Sequence, residues 1–229
     1  MLNARGGIES DLTMVPLPPE DPLHPQTGGR AFYLVHASTA CTRDVDHLRL
    51  SATQMAGSVA RGVAFQDVTD DFAVLALMGP QSRRLLGRVL STGASALSNE
   101  AFPFGSMRHL EAVALDGAPM PVRALRVSFV GELGWELHAP RHLAGALFDA
   151  LHAAAADAGM DGSDDFNGGE GLVNAGYRAL LESLRLEKGF VHFGHDVSPV
   201  ETPLEAGLGF VSAAKLKAGT PFRGRELPP

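Results

Sequence analysis

Three strand-like stretches joined by short turns occupy residues 106 to 139. "SMRHLEAVAL" and "MPVRALRVSFV" flank the turn "DGAP", and a second turn, "GELG", leads into "WELHA". Short connections that contain Gly and Asp reverse the chain between neighbouring antiparallel strands. This segment therefore predicts an antiparallel sheet, and that sheet constrains the fold more than any other feature of the chain.

Further strands and helices mix irregularly around this segment. Strands are predicted at "GIESDLTMV", "AFYLVH", "VAFQDV" and "FAVLALMG". Helices are predicted at "STACTRDVDHLRLSATQMA", "PQSRRLLGRVL", "RHLAGALFDALHAAAADAG" and "NAGYRALLESLRLEKG". A stretch rich in Pro and Gly, "VPLPPEDPLHPQTGG", and an acidic, Gly-rich stretch, "MDGSDDFNGGEG", predict loops. Because no steady βαβ rhythm is present, we predict an α+β fold with mixed, largely antiparallel sheets and packed helices.

The composition is that of a globular protein and argues against several functions. The chain has 229 residues, of which 45% are hydrophobic and 20% charged, enough for one large domain or two small ones. The net charge of -7 and the scattered Lys and Arg residues argue against a nucleic-acid partner. No membrane span, secretory signal or metal site is predicted. The single cysteine, Cys41, cannot form an intrachain disulfide, so a cytoplasmic location is expected.

The helix that contains "YRALLESLRLE" places a carboxylate among leucines. At about 100° per residue, Tyr177, Leu180, Leu184 and Glu187 form one stripe, whereas Arg178, Glu182 and Arg185 face away from it. A carboxylate on an apolar face requires a cation, several hydrogen-bond donors or a proton. Two interpretations stay open: Glu187 binds a ligand, or it pairs with a nearby arginine and joins two elements.

Asp11 carries a weaker signal. In "GIESDLTMV", alternation places Glu9, Asp11, Thr13 and Val15 on one face of a strand that follows a Gly-Gly turn. A solvent-facing strand edge explains these polar residues without a catalytic or binding role. From the pattern alone this interpretation is preferred.

Several motifs together resemble one family. "MLNARGGIESDLTMV", "RVSFVGELGWELHAP" and "GYRALLESLRLEKGFVHFGHDVSPVETPLEAGLGFV" resemble the folate-binding module of the glycine cleavage T-protein (aminomethyltransferase) family. The similarity is closest to the C-terminal half of dimethylglycine and sarcosine dehydrogenases. It extends over nearly the whole chain and implies the aminomethyltransferase folate-binding fold, with tetrahydrofolate in its centre.

The resemblance also implies roles for individual residues. Asp11 corresponds to the aspartate that closes the family's Gly-Gly-Ile motif, near the folate nitrogens that take up the one-carbon unit. Thr13 corresponds to a neighbouring polar position, and Glu187 to a glutamate that binds the pterin edge. Tyr177 would line the pterin pocket, although a plain core tyrosine is an equal alternative. Arg126 matches a family arginine, for which structural and functional roles have equal weight.

The resemblance implies a catalytic function and leaves one rival. The leading interpretation is folate-dependent transfer of an aminomethyl or methylene unit to tetrahydrofolate from a small methylated amine. FAD would be held only by a separate or missing flavin-dehydrogenase domain or subunit. The rival is a non-catalytic, degenerate module, as in the regulatory subunit of pyruvate dehydrogenase phosphatase.

The same motifs predict the domain boundaries. Residues 1–98 are expected to form a partial first subdomain with the Gly-Gly and Asp11 motif, and residues 99–212 an α+β subdomain with the hairpin and two helices. Residues 213–229 are expected to be a tail that leads to an absent C-terminal domain, and the module is expected to be truncated at both ends.

Overall fold

The computed structural model describes residues 1–19, 21–23, 30–54, 63–160 and 171–219. Its strands are β1 (Leu12–Leu17), β2 (Ala31–His36), β3 (Phe72–Met78), β4 (Met107–Val113), β5 (Pro119–Leu125) and β6 (Gly134–Pro140). The longer helices are α1 (Cys41–Gln54), α2 (Ser82–Val89) and α3 (Ala144–Asp157). They are followed by α4 (Tyr177–Ala179), a π-helix (Leu180–Leu184), α5 (Arg185–Glu187) and α6 (Phe210–Lys217). Short 3₁₀ helices lie at Ser38–Ala40, Thr69–Asp71, Ala94–Leu97 and Arg141–Leu143.

The chain divides into two compact units, and neither is continuous in sequence. The first unit contains Met1–Met14, Phe32–Gln66 and Val191–Pro229, and the second contains Val15–Ala31 and Asp67–Phe190. The sequence-based boundaries at residues 98 and 212 stay a prediction.

The second unit is built on a four-stranded antiparallel sheet with the order β3-β6-β5-β4. One face of this sheet is apolar, because alternate residues such as Val122, Ala124, Trp135 and Leu137 point to the same side. Helices α2 and α3 cover this face and contribute Leu85, Leu86, Leu147 and Leu151 to the core. Burial of this face supplies the main stabilisation of the unit.

The predicted antiparallel hairpin and the α+β class are confirmed. Strands β4 and β5 pair across the "DGAP" turn, and β6 follows the "GELG" turn. The helix prediction at "RHLAGALFDALHAAAADAG" is confirmed by α3, which ends before Gly159 with φ at 68°. Among the described residues, no helix is long and apolar enough to cross a membrane.

Four details differ from the sequence-based predictions or fall outside them. Residues 63–68 form no strand, and β1 begins at Leu12 and runs into the predicted loop as far as Leu17. The expected tail begins within a helix, α6, rather than as an unpatterned segment. Residues 161–170, which make up most of the predicted loop over residues 160–171, lie outside the described residues.

Candidate functional site

The Gly-Gly turn that precedes Asp11 is closed by one asparagine side chain. Asn3 Oδ1 accepts hydrogen bonds from the backbone N–H groups of Arg5 and Gly7, each at 2.9 Å. Gly6 has φ at 82°, a conformation that side chains with a Cβ rarely adopt. The turn predicted from the two glycines is therefore confirmed.

This turn is hydrogen-bonded to a distant segment of the same unit. The Ile8 N–H donates to the Glu201 carbonyl at 2.8 Å. A Cβ placed on Gly7 would lie only 2.0 Å from the Pro199 carbonyl oxygen, so the close approach requires glycine. These contacts occupy residues 1–10, and the strand therefore starts later than the alternating pattern predicts.

Asp11 is exposed, but the residue before it is buried and anchors the backbone. Ser10 Oγ donates to Asp44 Oδ2 at 2.7 Å, and the Asp44 side chain on α1 is 1% exposed. The Ser10 hydroxyl also lies 3.3 Å from the Asp11 carbonyl oxygen. The Asp11 carboxylate thus projects from a backbone position that buried hydrogen bonds hold in place. Thr13, two residues further along in β1, is half-buried.

We expect Gly7→Ala to destabilise the first unit, because the new methyl group would overlap the Pro199 carbonyl. Overpacking of this kind costs about 1–3 kcal/mol. Gly145→Ala is the matched control, since Gly145 lies in α3 and a Cβ there would meet nothing within 4 Å. That control should gain about 0.5–1 kcal/mol from helix propensity. Urea unfolding of both variants measures the difference, and equal effects would contradict the close approach at Gly7.

Glu187 ends the helical segment formed by α4, the π-helix and α5. Its side chain is exposed, and Tyr177 at the start of the segment is 73% exposed. The prediction that Glu187 is buried on an apolar face is therefore wrong. The buried positions of the segment are instead Leu181 and Arg185.

The π-helix explains this change of face. Its hydrogen bonds span five residues rather than four, so later side chains are rotated relative to the 3.6-residue repeat assumed from the sequence. Arg185 is 4% exposed, and its guanidinium group donates from Nε to the Leu181 carbonyl at 2.7 Å and from Nη1 to the Phe190 carbonyl at 2.9 Å. A charged side chain predicted to face solvent thus lies inside, because backbone carbonyls accept its hydrogen bonds.

The "GELG" turn packs against the end of the same segment. Lys188 Nζ lies 2.7 Å from Glu132 Oε1, and this hydrogen bond and its charge raise the pKa of Lys188. A Cβ on Gly131, which has φ at 73°, would lie 2.6 Å from Lys188 Cγ. Two motifs that carry the family resemblance therefore meet next to Glu187.

Arg126 is 9% exposed and makes contacts within the second unit. Its guanidinium group donates to the Phe102 carbonyl and, from Nη2, to Asn99 Oδ1 at 2.8 Å. The same group lies over the Trp135 ring, 5.7 Å from its centroid. Trp135 is fully buried, whereas Phe129 is 37% exposed. The described contacts of Arg126 are structural, and its proposed part in folate binding stays a prediction.

The candidate residues are divided between the two units. Asp11 and Thr13 belong to the first, and Arg126, Tyr177 and Glu187 belong to the second. Neither Asp11 nor Glu187 forms a salt bridge within the described parts of the chain. Both carboxylates are exposed, so both present acceptor oxygens to a ligand.

A buried polar network on the second face of the four-stranded sheet was not predicted from the sequence. Arg123 on β5 faces His109 on β4 and His138 on β6 across the strands. Asp21 lies in the stretch predicted to be only a loop, yet it is fully buried. Its Oδ1 accepts from Arg123 Nη2 at 2.8 Å, and its Oδ2 lies 3.0 Å from His109 Nε2. The sequence signal for this network was a charged residue, Arg123, in the middle of the apolar strand "MPVRAL".

The network sets the protonation of its members. Burial alone would raise the pKa of Asp21, but Arg123, the Leu23 N–H and His109 together lower it below its usual value. Burial lowers the pKa of His109, Asp21 opposes this effect, and the Arg123 charge adds to it. The guanidinium therefore favours the ionised form of the Asp21 carboxylate, and burial favours the neutral form of the His109 imidazole beside it.

Comparison with known proteins identifies the family. Residues 1–215 match the family described as the GCVT N-terminal domain. The chain belongs to this family. The resemblance inferred from the Gly-Gly, "GELG" and "LRLE" motifs is thereby confirmed.

Among curated relatives, human mitochondrial sarcosine dehydrogenase is 40% identical over 99% of this chain, which spans 22% of that protein. The 4-methylaminobutanoate oxidase (formaldehyde-forming) of Paenarthrobacter nicotinovorans is 34% identical over 98% of this chain and 23% of its own length. An aminomethyltransferase of Halothermothrix orenii is 34% identical over 62% of this chain and 33% of its own length. The chain thus spans about a fifth to a third of these relatives.

A solved structure shows the same fold. The crystal structure of glycine cleavage system aminomethyltransferase T from Bartonella henselae aligns with a TM-score of 0.64 over 99% of this chain and 50% of that chain. The two sequences are 24% identical, so this similarity establishes the fold alone.

Proposed function

We propose that this chain is a folate-binding module for one-carbon transfer, in which Glu187 holds the pterin edge and Asp11 acts at the transfer step. Membership of the GCVT N-terminal domain family supports this proposal. The observation that carries it is the pair of exposed carboxylates, neither of which forms a salt bridge within the described residues.

The chemistry of these side chains suits tetrahydrofolate. A pterin edge presents an N–H and an amino group side by side, and a carboxylate such as that of Glu187 accepts both. Bound tetrahydrofolate would supply the amine nitrogens that receive the one-carbon unit. Asp11, on its anchored backbone, would orient the ligand and accept or return a proton beside those nitrogens.

The names of the relatives support a proposal for the donor and the partner. The names of the relatives include sarcosine and dimethylglycine dehydrogenases and aminomethyltransferases. We propose a small methylated amine as the donor and a flavin-dehydrogenase domain or subunit as the source of oxidising chemistry. A cytoplasmic location stays a prediction from the single cysteine; the mammalian relatives are named as mitochondrial proteins.

We expect Glu187→Gln to weaken tetrahydrofolate binding about tenfold, because one acceptor oxygen becomes a donor that faces a pterin donor. The control is Glu182→Gln, which changes another exposed carboxylate on the same helical segment and breaks only an exposed pair with Arg178. Isothermal titration with tetrahydrofolate measures both variants. Equal affinities of the two variants for tetrahydrofolate would show that Glu187 is not part of the binding site.

A further inference from the structure

A groove in the second unit is lined by three arginines of α2. Arg83, Arg84 and Arg88 surround a surface depression of about 580 Å³, together with Pro80, Gly87, Ala94 and Leu133. Arg84 and Arg88 are exposed and one helical turn apart, so their side chains leave the helix on the same side. None of the candidate folate residues lines this groove.

A fourth arginine, Arg126, shares a neutral hydrogen-bond acceptor with Arg83. Arg83 Nη2 and Arg126 Nη2 both donate to Asn99 Oδ1, at 2.6 and 2.8 Å. The two guanidinium groups also lie over the same Trp135 ring, 6.0 and 5.7 Å from its centroid. Burial, and then the charge of Arg83, lower the pKa of Arg126. Two like charges are thus held close together without a carboxylate between them.

Counter-charge is scarce around this cluster. Within the described parts of the chain, none of Arg83, Arg84, Arg88 and Arg126 forms a salt bridge. The pKa of the exposed Glu100 is lowered first by its own backbone N–H and then by the Ser98 hydroxyl. The charge of Arg83 lowers this pKa further, but more weakly. Arg83 Nε is also buried without a hydrogen-bond partner among the described residues. The cluster therefore concentrates positive charge in a chain whose net charge is -7.

We propose that this groove, which we call the arginine groove, binds a small anion that carries two or more oxyanion groups. A guanidinium group binds a carboxylate or a phosphate through two parallel hydrogen bonds. Several guanidinium groups can therefore bind different oxyanion groups of one ligand. The apolar walls of Pro80 and Leu133 would contact the backbone of the ligand. Oligocarboxylates and polyphosphates share this chemistry. Of the candidate folate residues only Arg126 belongs to this cluster, and anion binding in the arginine groove does not require Asp11 or Glu187.

The test is isothermal titration of the chain at low salt with two probes, tri-γ-glutamate and inorganic triphosphate. We expect Arg84→Gln/Arg88→Gln to weaken binding of the preferred probe about tenfold or more, because two bidentate contacts are lost. The control, Arg141→Gln/Arg178→Gln, removes the same charge from two exposed arginines of the same unit and should change affinity less than about twofold. Circular dichroism of both double variants confirms that they are folded.

The two probes separate the possible sources of the anion. Tighter binding of tri-γ-glutamate would assign the groove to an oligocarboxylate, and tighter binding of triphosphate would assign it to a phosphate compound; either result supports the site. Absence of millimolar binding for both probes would overturn the proposal, as would equal losses in the two double variants. Glu187→Gln should leave probe binding unchanged, so failure of the folate proposal is distinguishable from failure of this one.

Discussion

Arg123→Met should destabilise the second unit by about 3–5 kcal/mol, because it removes a guanidinium from a fully buried ion pair. Arg123 Nη2 lies 2.8 Å from Asp21 Oδ1, and both side chains have 0% exposure. Methionine fills a similar volume, so the loss reports mainly the uncompensated carboxylate rather than a cavity. Urea unfolding at neutral pH provides the measurement.

Two further variants separate charge from packing. Asp21→Asn/Arg123→Met removes both charges and should recover much of the lost stability, since a buried pair often contributes little net free energy. Arg141→Met breaks an exposed pair with Asp70 at 3.4 Å and should have little effect. A double variant no more stable than the single one would show that the ion pair is not the cause.

The pH dependence provides a second readout of the same pair. The pKa of Asp21 is lowered in the folded chain, so its stabilising contribution is present above about pH 4 and is lost as the pH falls through the folded pKa. In Arg123→Met, burial without the guanidinium raises that pKa, and protonation then relieves the buried charge. The difference in stability between the natural chain and the variant should therefore be largest near neutral pH and should narrow on acidification.

Asp11→Asn should lower the rate of one-carbon transfer about a hundredfold while leaving folate affinity nearly unchanged. This expectation rests on the proposed function: an amide cannot accept the proton that a general base removes. The side chain keeps its shape, and Ser10 and Asp44 hold its backbone through contacts that the substitution does not touch. The rate is measured at saturating tetrahydrofolate, with sarcosine or dimethylglycine as the donor and a flavin dehydrogenase as the oxidant.

Glu9→Gln is the matched control for Asp11→Asn, because it removes a carboxylate two residues away and should leave the rate unchanged. Glu187→Gln provides the contrast, with a loss in affinity that saturating folate overcomes. If Asp11→Asn reduces affinity as Glu187→Gln does and leaves the saturated rate intact, Asp11 is only a ligand contact. If the natural chain itself supports no transfer at saturating tetrahydrofolate, the non-catalytic interpretation is the correct one.

Local patterns in the sequence were sufficient for much of the fold. Strands β4 and β5 are predicted by the alternation in "MRHLEAV" and "MPVRAL" and by the short turn between them. The register of this hairpin, and the sheet face on which each side chain lies, depend on residues that are close in the chain. The glycines at positions 6 and 7 likewise predict the turn before Asp11. The family could also be inferred, because short motifs in a fixed order carry it.

Local sequence patterns did not predict which charged residues are buried. Asp21 lies in a Pro-rich stretch that predicts only a loop, and its contact with Arg123, 102 residues away in sequence, is what accounts for its burial. The face on which Glu187 lies depended on the π-helix, since one change of hydrogen-bond spacing rotates every later side chain. Hydrophobic periodicity assumes a regular helix and local neighbours. Local sequence therefore predicted the hairpin strands, several turns and the family of this chain, whereas packing between distant segments determined which charged residues are buried and which are exposed.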